Sequence, residues 1–169
     1  MKIKVVKVGF LETNCYILNK DNNNLIIDPG SDYEKIIKEV DGNIIGILIT
    51  HNHDDHIGAL PYFKEVPIYN LDNLKEGLNK IDNFKFEVIK TKGHTNDSIS
   101  FLFENILFSG DFIFKGTIGR TDLGGNNEDM KISIENILSY DDLIIYPGHG
   151  DKTTLNEERD MLEYYKENL

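Results

Sequence analysis

The sequence predicts an α/β fold in a single domain, and three observations carry that expectation. Stretches with a two-residue apolar period alternate with stretches of helical spacing through both halves of the chain. No linker or low-complexity tract divides them. At 169 residues the chain fits one domain with room for a sizeable core.

The elements follow in order. Ile3 to Val8, Asn14 to Leu18 and Leu25 to Asp28 read as short strands, with Asp21-Asn22-Asn23-Asn24 as the turn between the last two. Asp28-Pro29-Gly30 ends the third. Ser31 with Glu34 three residues on has the form of a capping box. Tyr33, Ile36, Ile37 and Val40 then make the i, i+3, i+4, i+7 stripe of an amphipathic helix, stopped at Asp41-Gly42. Asn43 to Thr50 (NIIGILIT) is apolar and rich in β-branched residues, the mark of a buried strand. Gly58 to Phe63 has weak helical character, kinked by Pro61. Val66 to Tyr69 reads as a small strand and Leu71 to Leu78 as a weak helix. Phe84 to Thr91 alternates clearly and ends at Gly93-His94; Ser98 to Phe103 and Asn105 to Ser109 form a hairpin ending at Gly110-Asp111. Met130, Ile134, Ile137 and Leu138 mark a helix. Leu143 to Tyr146 is a strand running into Pro147-Gly148-His149-Gly150, and Leu155, Leu162, Tyr165 and Leu169 mark a closing helix.

Composition narrows the function classes. The chain is 40% hydrophobic and 28% charged, an ordinary globular balance. A formal net charge of −11 disfavours nucleic acid or an acidic membrane surface as partner, since both call for basic patches. The opening MKIKVVKVGF alternates like a strand rather than an export segment, and no apolar run approaches the length of a membrane span. The single cysteine, Cys15, has no partner for an internal disulfide, so the cytoplasm is the expected compartment. Cys15 lies in TNCYIL and reads as a buried structural thiol rather than a nucleophile.

The chemistry concentrates in Thr50-His51-Asn52-His53-Asp54-Asp55-His56, an H-x-H-x-D-H array with three of the five histidines. It follows a buried strand, where the backbone keeps no single period and several side chains can point at one spot. Imidazole and carboxylate suit zinc, iron or manganese. His51, His53, Asp55, His56, His94, Asp111 and His149 all fall at or just past the end of a strand, where ligands of α/β folds gather. Gly93, Gly110, Gly148 and Gly150 lie beside the three members outside the array. A lone His94 or His149 would read as a structural histidine and a lone Asp111 as a solvated turn residue. Their joint placement favours a site.

With those residues assembled, the chain resembles the metallo-β-lactamase superfamily, and within it the small glyoxalase II-like (hydroxyacylglutathione hydrolase-like) members. The likeness runs through TNCYIL, IDPG, THNHDDHIGAL, TKGHTNDSISF, FSGDFIFKGTIGRTDL and YPGHGDKTTLNEE. It implies a four-layer αβ/βα sandwich over residues 1–169, without the added C-terminal helical domain that contacts glutathione in full-length glyoxalase II enzymes. It also implies two divalent ions, zinc first among them with iron or manganese as alternatives. His51, His53 and His94 would hold one; Asp55, His56 and His149 the other; Asp111 would bridge. A shared hydroxide would attack a thioester carbonyl, with Asp55 orienting it. Arg120, in GRTDL, matches a basic position near the thiol substrate of relatives; it would pair a substrate carboxylate or else a neighbouring acid. Gly124 stands where relatives often carry proline.

The function expected is therefore hydrolysis of a small acyl thiol. Persulfide dioxygenases share GRTD and use one iron at the positions of His51, His94 and Asp111, so they are the main alternative, followed by a lactonase or esterase of the same fold. A nuclease is disfavoured by the negative charge.

Overall fold

The computed structural model describes residues 1–169, and its strands divide between two main sheets and one short hairpin. The first half contributes β1 (Lys2–Val8), β2 (Thr13–Lys20), β3 (Asn23–Ile27), α1 (Tyr33–Glu39), β4 (Asn43–Leu48), the single turn α2 (Asp54–Ile57) and β5 (Ile68–Tyr69). Its strands pair in chain order, β1-β2-β3-β4-β5. The second half contributes β6 (Gly77–Ile81), β7 (Phe84–Lys90), β8 (Ile99–Phe103), β9 (Ile106–Gly110), the hairpin β10 (Ile113–Phe114) and β11 (Thr117–Ile118), α3 (Asn127–Leu138), β12 (Ile144–Pro147), β13 (Thr153–Thr154) and α4 (Leu155–Asn168). The spatial order of that sheet is β13-β12-β9-β8-β7-β6.

Side-chain alternation along the strands builds the layers. Tyr16, Leu18, Leu25, Ile27 and Leu48 face inward from the first sheet. They meet Phe84, Phe86, Val88, Phe101, Phe103 and Phe108 of the second, forming the core between the sheets. The intervening residues Cys15, Ile17, Ile26 and Ile47 face the other way and pack under Ile36 of α1 and Phe63. On the far side Ile89, Leu102, Leu107 and Ile145 pack under Met130, Ile134 and Ile137 of α3 and Leu155 and Leu162 of α4. Helix, sheet, sheet, helix is thus the layer order, the sandwich expected. Cys15 is fully buried in the outer core, and burial pushes its thiol well above the usual range, as expected of a structural cysteine. No helix is long and apolar enough to cross a membrane.

Three local expectations need correcting. Leu71 to Leu78 is not a helix: Leu71 and Leu74 anchor a loop on the inter-sheet core, and Gly77–Ile81 is β6, paired antiparallel with β7. A free β7 edge has more to gain from a partner strand than three leucines gain from one helical stripe. Ser31 and Glu34 form no capping box. Asp32 is the N-cap instead, with a left-handed backbone and no side-chain cap; its carboxylate accepts the Gly9 N–H at 2.9 Å. The helical turn near the histidines begins earlier than expected, at Asp54, and a 3₁₀ turn over Leu60–Tyr62 follows.

Candidate metal centre

Strand direction gathers the site. β3 and β4 run parallel in one sheet, as do β9 and β12 in the other. β7 shares the direction of β9, being two antiparallel steps away. Asp28, His51, His94, Asp111 and His149 therefore leave the C-terminal ends of their strands toward one edge.

Along that edge the seven predicted residues converge. His51, His53 and His94 form one trio whose ligand atoms lie within 4.8 Å of one another; Asp55, His56 and His149 form a second. Asp111 lies between them. Its Oδ1 is 3.2 Å from His56 Nε2, and its Oδ2 is 3.5 Å from His94 Nε2 and 3.6 Å from His149 Nε2.

The outward side of each imidazole decides what the inward side offers. A neutral ring has one N–H and one lone pair, so a fixed acceptor on one nitrogen turns the lone pair to the other. His94 Nδ1 donates to the Arg120 carbonyl at 2.7 Å, His53 Nε2 to the Leu123 carbonyl at 3.0 Å and His149 Nδ1 to the Leu11 carbonyl at 3.0 Å. His56 Nδ1 donates to Asp28 Oδ2 at 2.9 Å. The Thr50 hydroxyl gives its proton to Asp28 Oδ2 at 2.7 Å and so accepts from His51 Nδ1 at 3.0 Å. All five rings thus turn a lone pair inward.

The donor set fits divalent metal ions. In the first trio His53 Nδ1 stands 3.1 Å from His51 Nε2 and 3.0 Å from His94 Nε2, with no proton available between them. Imidazoles around one tetrahedral ion at its usual bond length stand ~3.3 Å apart. Near the second trio, His56 Nε2 and Asp111 Oδ1 are both buried and face each other at 3.2 Å with no other hydrogen-bond partner. A pair of that kind is completed by a shared proton or by an ion.

Electrostatics points the same way. Burial first, then the neighbouring His56, carries His51 down to about 2. Burial also lowers His56, yet the carboxylates of Asp28 and Asp111 reverse this and carry it up to about 10. Burial raises Asp55, but the His149 hydrogen bond, the charge of His56 and the Thr13 hydroxyl hold it below the usual carboxylate range. Asp111 is lowered in the same way, with His56 the main opponent of burial. The site draws in positive charge, as a proton on His56 or as a metal ion.

Residues outside the predicted set hold these ligands in place. Asp28 is buried, sits in a left-handed backbone conformation and also accepts the Thr50 N–H at 2.8 Å. It orients His56 directly and His51 through Thr50. At the start of β2, Thr13 Oγ1 donates to Asp55 Oδ2 at 2.9 Å. Asn14 Nδ2 donates to the carbonyls of Pro147 and Gly150 at 3.0 and 2.9 Å, bracketing His149. Gly148 is required by proximity: a Cβ there would stand 2.2 Å from Asp111 Oδ1 and 2.8 Å from His56 Cε1. IDPG and TNCY were visible as segments, but no spacing marked Asp28, Thr13 or Asn14 as supports of the site.

Arg120 serves the site through its backbone carbonyl on His94. Its guanidinium is exposed and grips the Asp122 carboxylate bidentately at 2.8 and 2.7 Å. The neighbouring-acid arrangement is therefore the one present.

The family model of the metallo-beta-lactamase superfamily matches residues 8–71 and 65–149. Hydroxyacylglutathione hydrolase GloC of Haemophilus influenzae is 33% identical, over 94% of this chain and 95% of its own. Among solved structures, BLEG-1 B3 metallo-beta-lactamase superposes with a TM-score of 0.89 at 32% identity, covering 97% of this chain and 99% of its own. TTHA1623 in a di-iron-bound form gives 0.83 at 28%, covering 92% and 96%.

Proposed function

The chain belongs to the metallo-beta-lactamase superfamily, and from that premise we propose that it is a binuclear metal-dependent hydrolase of small thioesters. The observation that carries the reading is the set of five imidazole lone pairs and two carboxylates turned on one spot, each outward N–H already engaged. His51, His53 and His94 would hold one ion, Asp55, His56 and His149 the other, with Asp111 shared. Bound there, the ions would supply Lewis acidity and a lowered water pKa.

The chain's own residues add positioning. Asp55 is held as an anion with one oxygen tied to Thr13, which leaves it able to orient a water by accepting a hydrogen bond from it. Neither Asp55 nor Asp111 keeps a proton near neutral pH to hand to a leaving group. That favours a bond whose leaving group departs as an anion, as a thiolate of pKa about 8.5 does far more readily than an alkoxide. The likeness to a hydroxyacylglutathione hydrolase supports the thioester. The likeness to a di-iron form supports iron as an alternative to zinc.

The test is metal analysis of the protein from its own source, paired with hydrolysis of S-lactoylglutathione and other acyl thiols with and without oxygen. A β-lactam serves as control, given the likeness to a B3 metallo-beta-lactamase. Oxygen-independent release of thiol is expected. Oxygen consumption with a glutathione persulfide and one iron per chain would replace this reading with the dioxygenase.

A further inference from the structure

Glu158 is a buried carboxylate that the metal centre does not use. It lies near the start of α4 and is 4% exposed. One of its oxygens accepts the Thr153 hydroxyl at 2.6 Å and the other the Gly116 N–H at 2.9 Å. A carboxylate is costly to bury, and two neutral donors return little stability against that cost. Its place is better explained by what it fixes. Gly116 is the tip of the β10–β11 hairpin, whose two ladder pairs, Ile113 with Ile118 and Phe114 with Thr117, do not include it. The Thr117 and Tyr165 hydroxyls, 3.2 Å apart, make a second link between hairpin and helix.

The helix is the fixed partner. Leu155 and Leu162 are buried in the core, and the Arg159 guanidinium donates to the Leu138 and Tyr140 carbonyls at 2.9 and 2.6 Å. The hairpin, by contrast, enters the centre at both ends. Asp111 lies two residues before it. On its first strand the Phe114 ring meets the His149 ring with centroids 6.0 Å apart. Its second strand runs into Gly119 and Arg120, whose carbonyl holds His94 Nδ1 at 2.7 Å. There is no slack at that end: a Cβ on Gly119 would stand 1.8 Å from the Asp111 carbonyl oxygen and 3.2 Å from His94 Nδ1. Ile113 and Ile118 anchor the hairpin in the core, but apolar contacts are non-directional. A hydrogen bond at the tip sets its direction.

We infer that Glu158 is a positioning residue of the metal centre. By holding Gly116 it fixes the β10–β11 hairpin, and through the hairpin it sets how His94 and His149 face the ions. That role presupposes the metal centre proposed above, not the thioester substrate.

Cobalt(II) is the probe, because its visible absorption bands report the geometry of the donors around it. Binding is titrated against a competing chelator in the full chain, and each variant is melted to verify that it folds. E158A removes both acceptors. It should weaken at least one of the two binding steps about tenfold, the low end for loss of an outer partner, and alter the bands. E158Q should restore both readouts: its amide oxygen accepts the Gly116 N–H and its amide donates to Thr153 Oγ1, whose own proton turns to Glu157 Oε2 at 3.1 Å. M161A, a packing change on the same helix, should lower Tm while leaving bands and affinity as in the wild type. A folded E158A with wild-type bands and affinity would overturn the proposal. So would an M161A that moves them equally, or an E158Q that restores neither. Should E158A not fold, E158D, which withdraws the carboxylate by one methylene, is judged by the same criteria. If E158A shifts the bands but the wild type cleaves no thioester, the thioester reading fails and the role of Glu158 stands. A wild type that binds no cobalt would overturn both.

Discussion

At the residue scale, each histidine of this centre does two jobs with its two nitrogens, and Asp28 controls two of the five rings. Its Oδ2 takes the His56 Nδ1–H and, through the Thr50 hydroxyl, fixes His51 as well. An Asp28→Asn amide lacks the charge and the acceptor capacity to hold both. Loss of such an outer partner typically weakens metal binding 10–100-fold, and both ions should be affected. Titration with a competing chelator measures this, and unchanged affinity at both positions would show that Asp28 serves the fold alone. A second expectation concerns pH. His56, carried up to about 10, contributes stability in full below its unfolded value of about 6.5. It loses that contribution as pH rises through the folded value. His149 is raised and has the same sign. His51 and His94 are lowered, so on their account the unfolded chain gains protons first as pH falls below about 6.5. Metal-free protein should therefore melt highest near neutrality and lose Tm toward pH 10, whereas metal-loaded protein should keep its alkaline stability because an ion replaces the proton on His56. A flat alkaline limb without metal would contradict this.

At the element scale, the start of β2 holds the second trio: Thr13 tethers Asp55 and Asn14 brackets His149 from the opposite sheet. Thr13→Val removes the hydroxyl at nearly constant volume, and Asn14→Asp replaces two donors with acceptors facing carbonyls. Both should lower occupancy of the second metal position while the first stays filled, and Thr13→Ser should restore it. Loss of both metals together would mean that β2 supports the whole centre. The array at 51–56 was legible because its ligands are neighbours in sequence, and His94, Asp111 and His149 because each ends a strand of clear pattern. Asp28, Thr13 and Asn14 were not, since a positioning role depends on a partner 22 to 136 residues away. The period-2 strands and the α3 and α4 stripes were readable because burial on one face enforces them. β6 was misread because Leu71, Leu74 and Leu78 mimic helical spacing, although Leu78 is 86% exposed and what places the segment is backbone pairing to β7.

At the scale of the whole molecule, the centre joins segments from both sheets, and a chain of net charge −11 gains from positive charge at their shared edge. Ions that bind the native state alone add stability by mass action, about 4 kcal/mol at a thousandfold excess over Kd. Stripping them with a chelator should lower Tm by on the order of 10 °C for a chain of this size. An unchanged melting temperature after verified metal removal would separate the centre from the fold. Metal equivalents per chain, counted by mass spectrometry for the wild type and for His149→Ala beside thioester turnover without oxygen, test the two-ion centre most directly. Two equivalents in the wild type are expected. In the variant, the second should be depleted and hydrolysis lower by orders of magnitude. One equivalent in the wild type, or a variant that keeps both metals and full turnover, would contradict it.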